Sequence, residues 1–220
     1  ASFHITSATE SHRDRFGVAP QGVWPAEGGV SQAAATVFAE HGCRWMASGE
    51  AVLVNSLRGL DGNQPLPSRM DYLYRPYRLA TGDHEIVSFF RDDKLSDKIG
   101  FEYAKWFGRD AVDNFIDELE EIWRHTPEGE SPVVSVILDG ENAWEYYQND
   151  GRDFFLYLYE RLSREQGLRC VTVGEYLKEN PAQASIERLH AGSWINANFR
   201  VWIGHEEDNR AWDLLAQTRR

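Results

Sequence analysis

Short apolar runs alternate with amphipathic, helix-length stretches along most of this chain, and that alternation leaves few folds open to it. The runs fall at 22–24, 44–47, 86–90, 133–138 and 170–173. The clearest is 133–138, where five of six residues are apolar and three are valine, the composition of a strand covered on both faces. Apolar strand, amphipathic helix, apolar strand is the pattern that builds a parallel sheet. The expected class is α/β with about five parallel strands. Five do not close a barrel, so either the sheet is open or further strands lie upstream of Ala1.

The helical stretches have readable ends. One ends near Phe16, and another runs from about Ser31, its cap, to His41, with Ala34, Val37 and Phe38 on one face. Ser96 caps a third, whose buried face takes Ile99, Tyr103 and Trp106. Asp110 with Asp113 opens a fourth, where Val112, Phe115, Ile116, Leu119 and Trp123 keep helical spacing until the segment between Pro127 and Pro132 breaks it. Asn149 or Asp150 begins a fifth, with Phe154, Leu158 and Leu162 stacked along it. Residues 55–79, rich in Gly, Pro and Arg, read as a long rim loop with extended portions. The alternation stops near Pro181. Residues 1–180 therefore read as a partial barrel domain and 181–220 as the start of a helical region. The chain opens Ala1-Ser2-Phe3 without Met and ends on Thr218-Arg219-Arg220 directly after an amphipathic stretch, so it reads as an internal fragment. Its N-terminus carries no localisation signal, and the cytoplasm is slightly favoured.

Composition narrows the ligand. A net charge of −12 argues against a nucleic-acid groove and suits a neutral or cationic ligand, although acidity also serves plain solubility. No apolar run approaches the ~18 residues of a membrane span. Cys43 and Cys170 make neither a disulfide framework nor a metal cluster, though a single bridge between them stays open. None of the seven histidines stands in H-x-x-x-H or H-E-x-x-H, which lowers the odds of a metal; the expectation is no metal and no cofactor. Eight Trp, nine Tyr and eleven Phe are more than a core of this size needs, and aromatic faces pack well against the C–H surface of sugars.

Two carboxylates stand where an apolar run meets a loop. Glu27 follows Gly22-Val23-Trp24 in Trp24-Pro25-Ala26-Glu27-Gly28-Gly29, and Asp139 follows 133–138 in Asp139-Gly140-Glu141-Asn142. In a barrel of strands and helices both would lie on the C-terminal rim, the face that carries chemistry. Two facing acids are what glycosidic cleavage needs. Pro25 restricts the backbone before Glu27, which reads as a nucleophile or general base, or else as a carboxylate beside the N-terminus of the next helix. Asp139, at the end of an apolar strand, reads as a proton donor that Glu141 and Asn142 help orient, or else as a simple Asp-Gly turn. Arg91-Asp92-Asp93 reads as a substrate clamp or an ion-pair network. Trp24, Trp144, Tyr146 and Tyr147 are subsite candidates or core.

Several stretches resemble one known family. Gly22-Val23-Trp24-Pro25-Ala26-Glu27-Gly28-Gly29-Val30-Ser31 and Ile137-Leu138-Asp139-Gly140-Glu141-Asn142-Ala143-Trp144-Glu145 resemble family 57 of the glycoside hydrolases, nearest its amylopullulanase-like branch. Phe89-Phe90-Arg91-Asp92, Leu95-Ser96-Asp97-Lys98-Ile99-Gly100-Phe101, Gly192-Ser193-Trp194-Ile195 and Trp202-Ile203-Gly204 extend the likeness in order. The resemblance implies an incomplete (β/α)7 barrel and retaining hydrolysis of α-glucans of starch, maltooligosaccharide or pullulan type, with no metal in the catalytic step. It implies Glu27 as nucleophile and Asp139 as general acid/base, with Trp24, Arg91, Asp92, Glu141, Asn142, Trp144 and Trp194 toward substrate. The family's early His-Gln-Pro strand motif and late aromatic-rich segment are not in this chain, which agrees with the strand count. The rival classes are a metal-dependent carbohydrate deacetylase on a related barrel, which needs two histidines near Asp139, and a glucan-binding or scaffold fragment without turnover. Tight Zn²⁺ binding marks the first; maltooligosaccharide binding untouched by Glu27→Gln marks the second.

Overall fold

The computed structural model describes residues 1–59, 62, 64–141 and 144–219. Along the chain run α1 (Ser2–Phe16), β1 (Gly22–Val23), α2 (Gln32–Glu40), β2 (Trp45–Ser48), α3 (Glu50–Leu57), α4 (Arg69–Tyr72), β3 (Tyr77–Thr81), β4 (His84–Phe90), α5 (Asp93–Asp97), α6 (Gly108–Arg124), α7 (Arg152–Arg164), α8 (Val173–Glu179), β5 (Ala184–Ile186) and α9 (Glu206–Thr218). The strands form a five-stranded sheet in the order β1-β2-β4-β3-β5. The class is α/β, as the alternation requires. β1 and β2 pair in parallel, Gly22 with Trp45 and Val23 with Met46. β3 and β4, neighbours in the sheet joined only through Gly82 and Asp83, form a hairpin and so run antiparallel. Among the described residues no helix is long and apolar enough to cross a membrane.

The chain divides into two compact units. The first gathers Ala1–Gln64, Leu79–Ile86 and Ile186–Arg220. Its core holds Val30, Ala35, Met46, Val52, Leu53 and Ile86, all at 1% exposure or less. α2 starts where its cap predicts: Ser31 Oγ accepts the Ala34 N–H at 3.1 Å, which settles one of the donors a helix start leaves open. α3 is an addition to the sequence reading. It starts at Glu50, just past the end of β2, and Val52 and Leu53 in its first turn are wholly buried.

The second unit gathers Pro65–Arg78 and Val87–Ser185. α6 buries Ala111, Val112, Phe115, Ile116 and Ile122, whereas Trp123, read as part of that face, is 56% exposed. Trp106 is likewise exposed. The helix opened by α5 widens into a π turn over Lys98–Glu102 and tightens into a 3₁₀ turn over Tyr103–Lys105, so helical spacing no longer holds when the chain reaches Trp106. α7 begins after Asn149, Asp150 and Gly151, three successive residues with positive φ, and buries Phe154.

Two runs read as strands are not regular strands. Residues 133–138 are extended but half-buried throughout, with one parallel bridge, Ser135 to Arg91. Their other backbone bonds go to the Tyr74 carbonyl, the Asp92 N–H and side chains, as set out below. Residues 170–173 lead into α8: Thr172 and Glu175 form a reciprocal capping box, and a residue committed to a cap is not available to a ladder.

Glu118 on α6 supports this unit electrostatically. It receives the ammonium groups of Lys94 and Lys98. Burial alone would raise its carboxyl pKa, but the two lysines outweigh that and hold it below the ordinary value. A carboxyl depressed by folding adds stability above its unfolded pKa, and that stability is lost as pH falls through the folded one. Glu118→Gln should therefore lower the thermal midpoint at pH 7 by the equivalent of at most about 1 kcal/mol. As the pH falls below the ordinary carboxylate range and the wild-type carboxyl takes up its proton, the difference between the two proteins should close. Paired melts across that range check it.

Candidate active site

Glu27 sits in the first unit, on a single 3₁₀ turn over Ala26–Gly28 that follows Pro25. Its backbone is left-handed, φ 57° and ψ 24°, a conformation that costs a non-glycine residue roughly 1 kcal/mol. Such a residue persists only where its surroundings over-determine it. Here they do. The Glu27 carbonyl accepts the backbone N–H of Trp194 at 3.0 Å, and Glu27 Oε2 accepts the indole Nε1–H of the same residue at 2.8 Å. Ser48, buried at the end of β2, donates its hydroxyl to the Gly28 carbonyl at 2.6 Å. Val30 and Gly192 exchange two backbone bonds, 2.8 and 3.0 Å, in an antiparallel bridge.

The aromatic rings complete this frame. Trp24 meets Trp194 edge to face, centroids 5.1 Å apart. Gly28 has φ 57° as well, and a Cβ there would stand 2.7 Å from the Trp24 ring, so the position takes only glycine. Trp194 is carried on a tight turn: Asn196 and Ala197 both have positive φ (54° and 49°), and the Asn198 N–H reaches back to the Ile195 carbonyl. Two successive positive φ values mark a type I′ turn. Ser193, fully buried beneath it, donates to the Asn198 carbonyl at 2.9 Å. The result is a solvent-facing carboxylate with one oxygen already fixed by an indole donor. The helix N-terminus that could have claimed Glu27 is served by Ser31.

Asp139 lies in the second unit, half-buried, at the end of the extended segment. That segment is held on alternate residues. The Val133 N–H donates to the Tyr74 carbonyl, the Ser135 carbonyl accepts from Asp92 N–H at 2.8 Å, and the Ile137 N–H donates to Ser96 Oγ. Arg91 is the clamp at its end. Its Nε–H donates to the Ile137 carbonyl at 2.8 Å, while its two terminal nitrogens bind Asp93 (2.9 Å) and Asp97 (2.7 Å). Asp92 is wholly buried. It accepts from Arg69 at 2.6 Å, from the Tyr74 hydroxyl at 2.8 Å and from Leu95 N–H at 2.9 Å, the last capping α5.

Trp144 belongs to an aromatic cluster with Tyr147, Phe154 and Phe155, its ring centroid 4.2 Å from that of Phe155. Burial pushes the Tyr147 phenol pKa up, so it stays protonated and donates to the Ile99 carbonyl. Tyr146 is 80% exposed and Glu141 is exposed in its turn. Asn142 lies outside the described residues. Among the described residues no group of three or more His, Cys, Asp or Glu side chains is placed to hold a metal ion.

The structure thus joins Glu27 with Trp24 and Trp194, and Arg91 and Asp92 with the segment that carries Asp139. Ser48, Gly192, Arg69 and Tyr74 were not singled out by the sequence as members of either arrangement. Only Gly192 had a signal, standing two residues before Trp194.

The glycosyl hydrolase family 57 model matches residues 2–188. No curated protein sequence matches. Among solved structures, the chain is similar to a GH57 branching enzyme from Thermococcus kodakaraensis, crystallised with glucose (15% identity, TM-score 0.75, covering 96% of this chain and 49% of that one). It is similar to a 4-alpha-glucanotransferase from Thermococcus litoralis (19% identity, TM-score 0.69, 95% and 30%). It is similar too to the alpha-amylase AmyC from Thermotoga maritima (17% identity, TM-score 0.64, 88% and 47%). At these identities the likeness is one of fold, and the chain spans half or less of each of those proteins.

Proposed function

The chain belongs to glycosyl hydrolase family 57, and we propose that it carries the bond-cleaving residues of a retaining enzyme acting on α-glucan. The observation that bears most weight is the Glu27 carboxylate. It is presented to solvent on a left-handed turn and fixed at one oxygen by Trp194, an arrangement suited to a nucleophile whose direction matters. In this reading Asp139, as the acid, protonates the glycosidic oxygen while Glu27 attacks the anomeric carbon. The leaving sugar departs with that proton, and a covalent glycosyl ester remains on Glu27. Asp139, now a carboxylate, takes a proton from water or from a sugar hydroxyl, which displaces Glu27 and restores both groups. Water gives hydrolysis; a sugar hydroxyl gives glucan transfer, the activity named for the Thermococcus litoralis protein.

In the same reading Trp24, Trp144 and Trp194 offer aromatic faces to the glucan, and Glu141 and Asn142 are partners for its hydroxyls. Arg91 and Asp92 hold the Asp139 segment in place. Net charge −12 suits a neutral polysaccharide. The test is the stereochemistry of the first product. Followed by ¹H NMR on a maltooligosaccharide, cleavage should release the α anomer before mutarotation sets in. A β anomer appearing first would replace the covalent route with single displacement by water.

A further inference from the structure

We propose that His190 is a positioning residue for the Glu27 carboxylate, acting through the turn that carries Trp194; this rests on the reading of Glu27 as nucleophile. The turn is held against its own backbone preference. Type I′ turns want Gly or Asn at both central positions, and Asn196 satisfies that while Ala197 does not. Ala197 is nonetheless left-handed (φ 49°) and 3% exposed. Its carbonyl accepts a hydrogen bond from His190 Nε2 at 2.8 Å. A carbonyl only accepts, so Nε2 carries the proton. Asn55 Nδ2 stands 3.4 Å from that same nitrogen and, with Nε2 protonated, does not donate to it.

His190 is itself anchored. Its backbone N–H donates to Ser56 Oγ at 2.9 Å, and that hydroxyl donates to the Val52 carbonyl within α3 at 2.7 Å. The imidazole therefore ties the turn to a helix whose Val52 and Leu53 lie in the core. From the turn, Trp194 makes two bonds to one residue. Its backbone N–H sets where the Glu27 loop sits, and its indole N–H sets where the carboxylate points. A turn released from His190 shifts both donors at once. Gly192 stands at the same seam: a Cβ there would meet the Ala197 carbonyl oxygen at 2.3 Å, so His190 can draw that carbonyl close only because residue 192 has no side chain.

The test pairs two amides that reach different ring positions. Glutamine places its side-chain nitrogen where Nε2 stands, and asparagine places its own where Nδ1 stands. In the ¹⁵N-labelled chain the Trp194 indole N–H resonance is identified by its loss in Trp194→Phe, and its bond to Glu27 by its shift in Glu27→Gln. His190→Gln should leave that resonance in place; His190→Asn should move it toward the position of a solvent-exposed indole. In turnover, His190→Asn should lower kcat about tenfold with KM unchanged, and His190→Gln should restore it. An indole signal unmoved in a folded His190→Asn variant overturns the proposal. The ring tautomer of wild-type His190, read from long-range ¹H–¹⁵N correlation, needs no variant: Nε2–H supports the assignment and Nδ1–H overturns it. If the asparagine variant moves the indole while Glu27→Gln leaves turnover intact, the nucleophile reading alone fails.

Discussion

Glu27→Gln should reduce turnover of α-glucan by at least about a thousandfold while leaving the fold in place, because a neutral amide cannot form the glycosyl ester. The substitution keeps volume, charge aside. The amide oxygen can still accept the Trp194 indole N–H, and the backbone bonds that hold the left-handed turn do not involve the side chain. The thermal midpoint is therefore the control. A large loss of rate at an unchanged midpoint assigns Glu27 to the chemistry. Unchanged turnover removes it from the mechanism, and with it the retaining route. Azide added to the more severe Glu27→Ala variant gives a second check: an external nucleophile filling the vacated space should restore cleavage and yield a glycosyl azide of inverted configuration.

Asp92→Ala should be the most damaging single change to stability, by about 3 kcal/mol. Three donors converge on that buried carboxylate: the Arg69 guanidinium, the Tyr74 hydroxyl and the Leu95 N–H. Truncation leaves the hydroxyl of Tyr74, a residue 5% exposed, without this acceptor, strips α5 of its cap and leaves a cation facing an empty site. Arg69, with 29% of its side chain exposed, can turn toward water, which keeps the loss at the lower end of the range for broken buried pairs. For a chain of this size the melting midpoint should fall by roughly 6–12 °C. Asp92→Asn, which keeps an acceptor and a good cap, should cost clearly less. A residue that merely touched substrate would raise KM and leave the melt alone, so the two measurements together decide what Asp92 does.

Local pattern carried much of this molecule. The cap at Ser31, the apolar stripe of α6 and the apolar run entering the Asp139 loop were all legible because each is settled within a few residues. What tertiary context decides was not. Residues 133–138 have the composition of a central strand, yet alternate backbone groups find their partners in Tyr74, Asp92, Ser96 and Arg91, and composition does not say which neighbours a run will meet. β3 keeps a strict buried–exposed alternation, but it sits at the end of a Gly-, Pro- and Arg-rich stretch that reads as loop. Sequence points to Glu27 and Asp139 as candidate acids but not to the groups that hold them. Nothing near Glu27 announces that its hydrogen-bond donor is an indole, and nothing near Asp139 announces that a guanidinium from the preceding strand fixes the carbonyl two residues before it.

The bond between Glu27 and Trp194 spans 167 positions of the chain. A ribosome adding about 5–20 residues each second exposes the acid on the order of ten seconds or more before the indole that steadies it has been made. Throughout that interval the nascent chain owns a carboxylate but no aim for it. A product released between the two positions would keep the acid yet lack its donor.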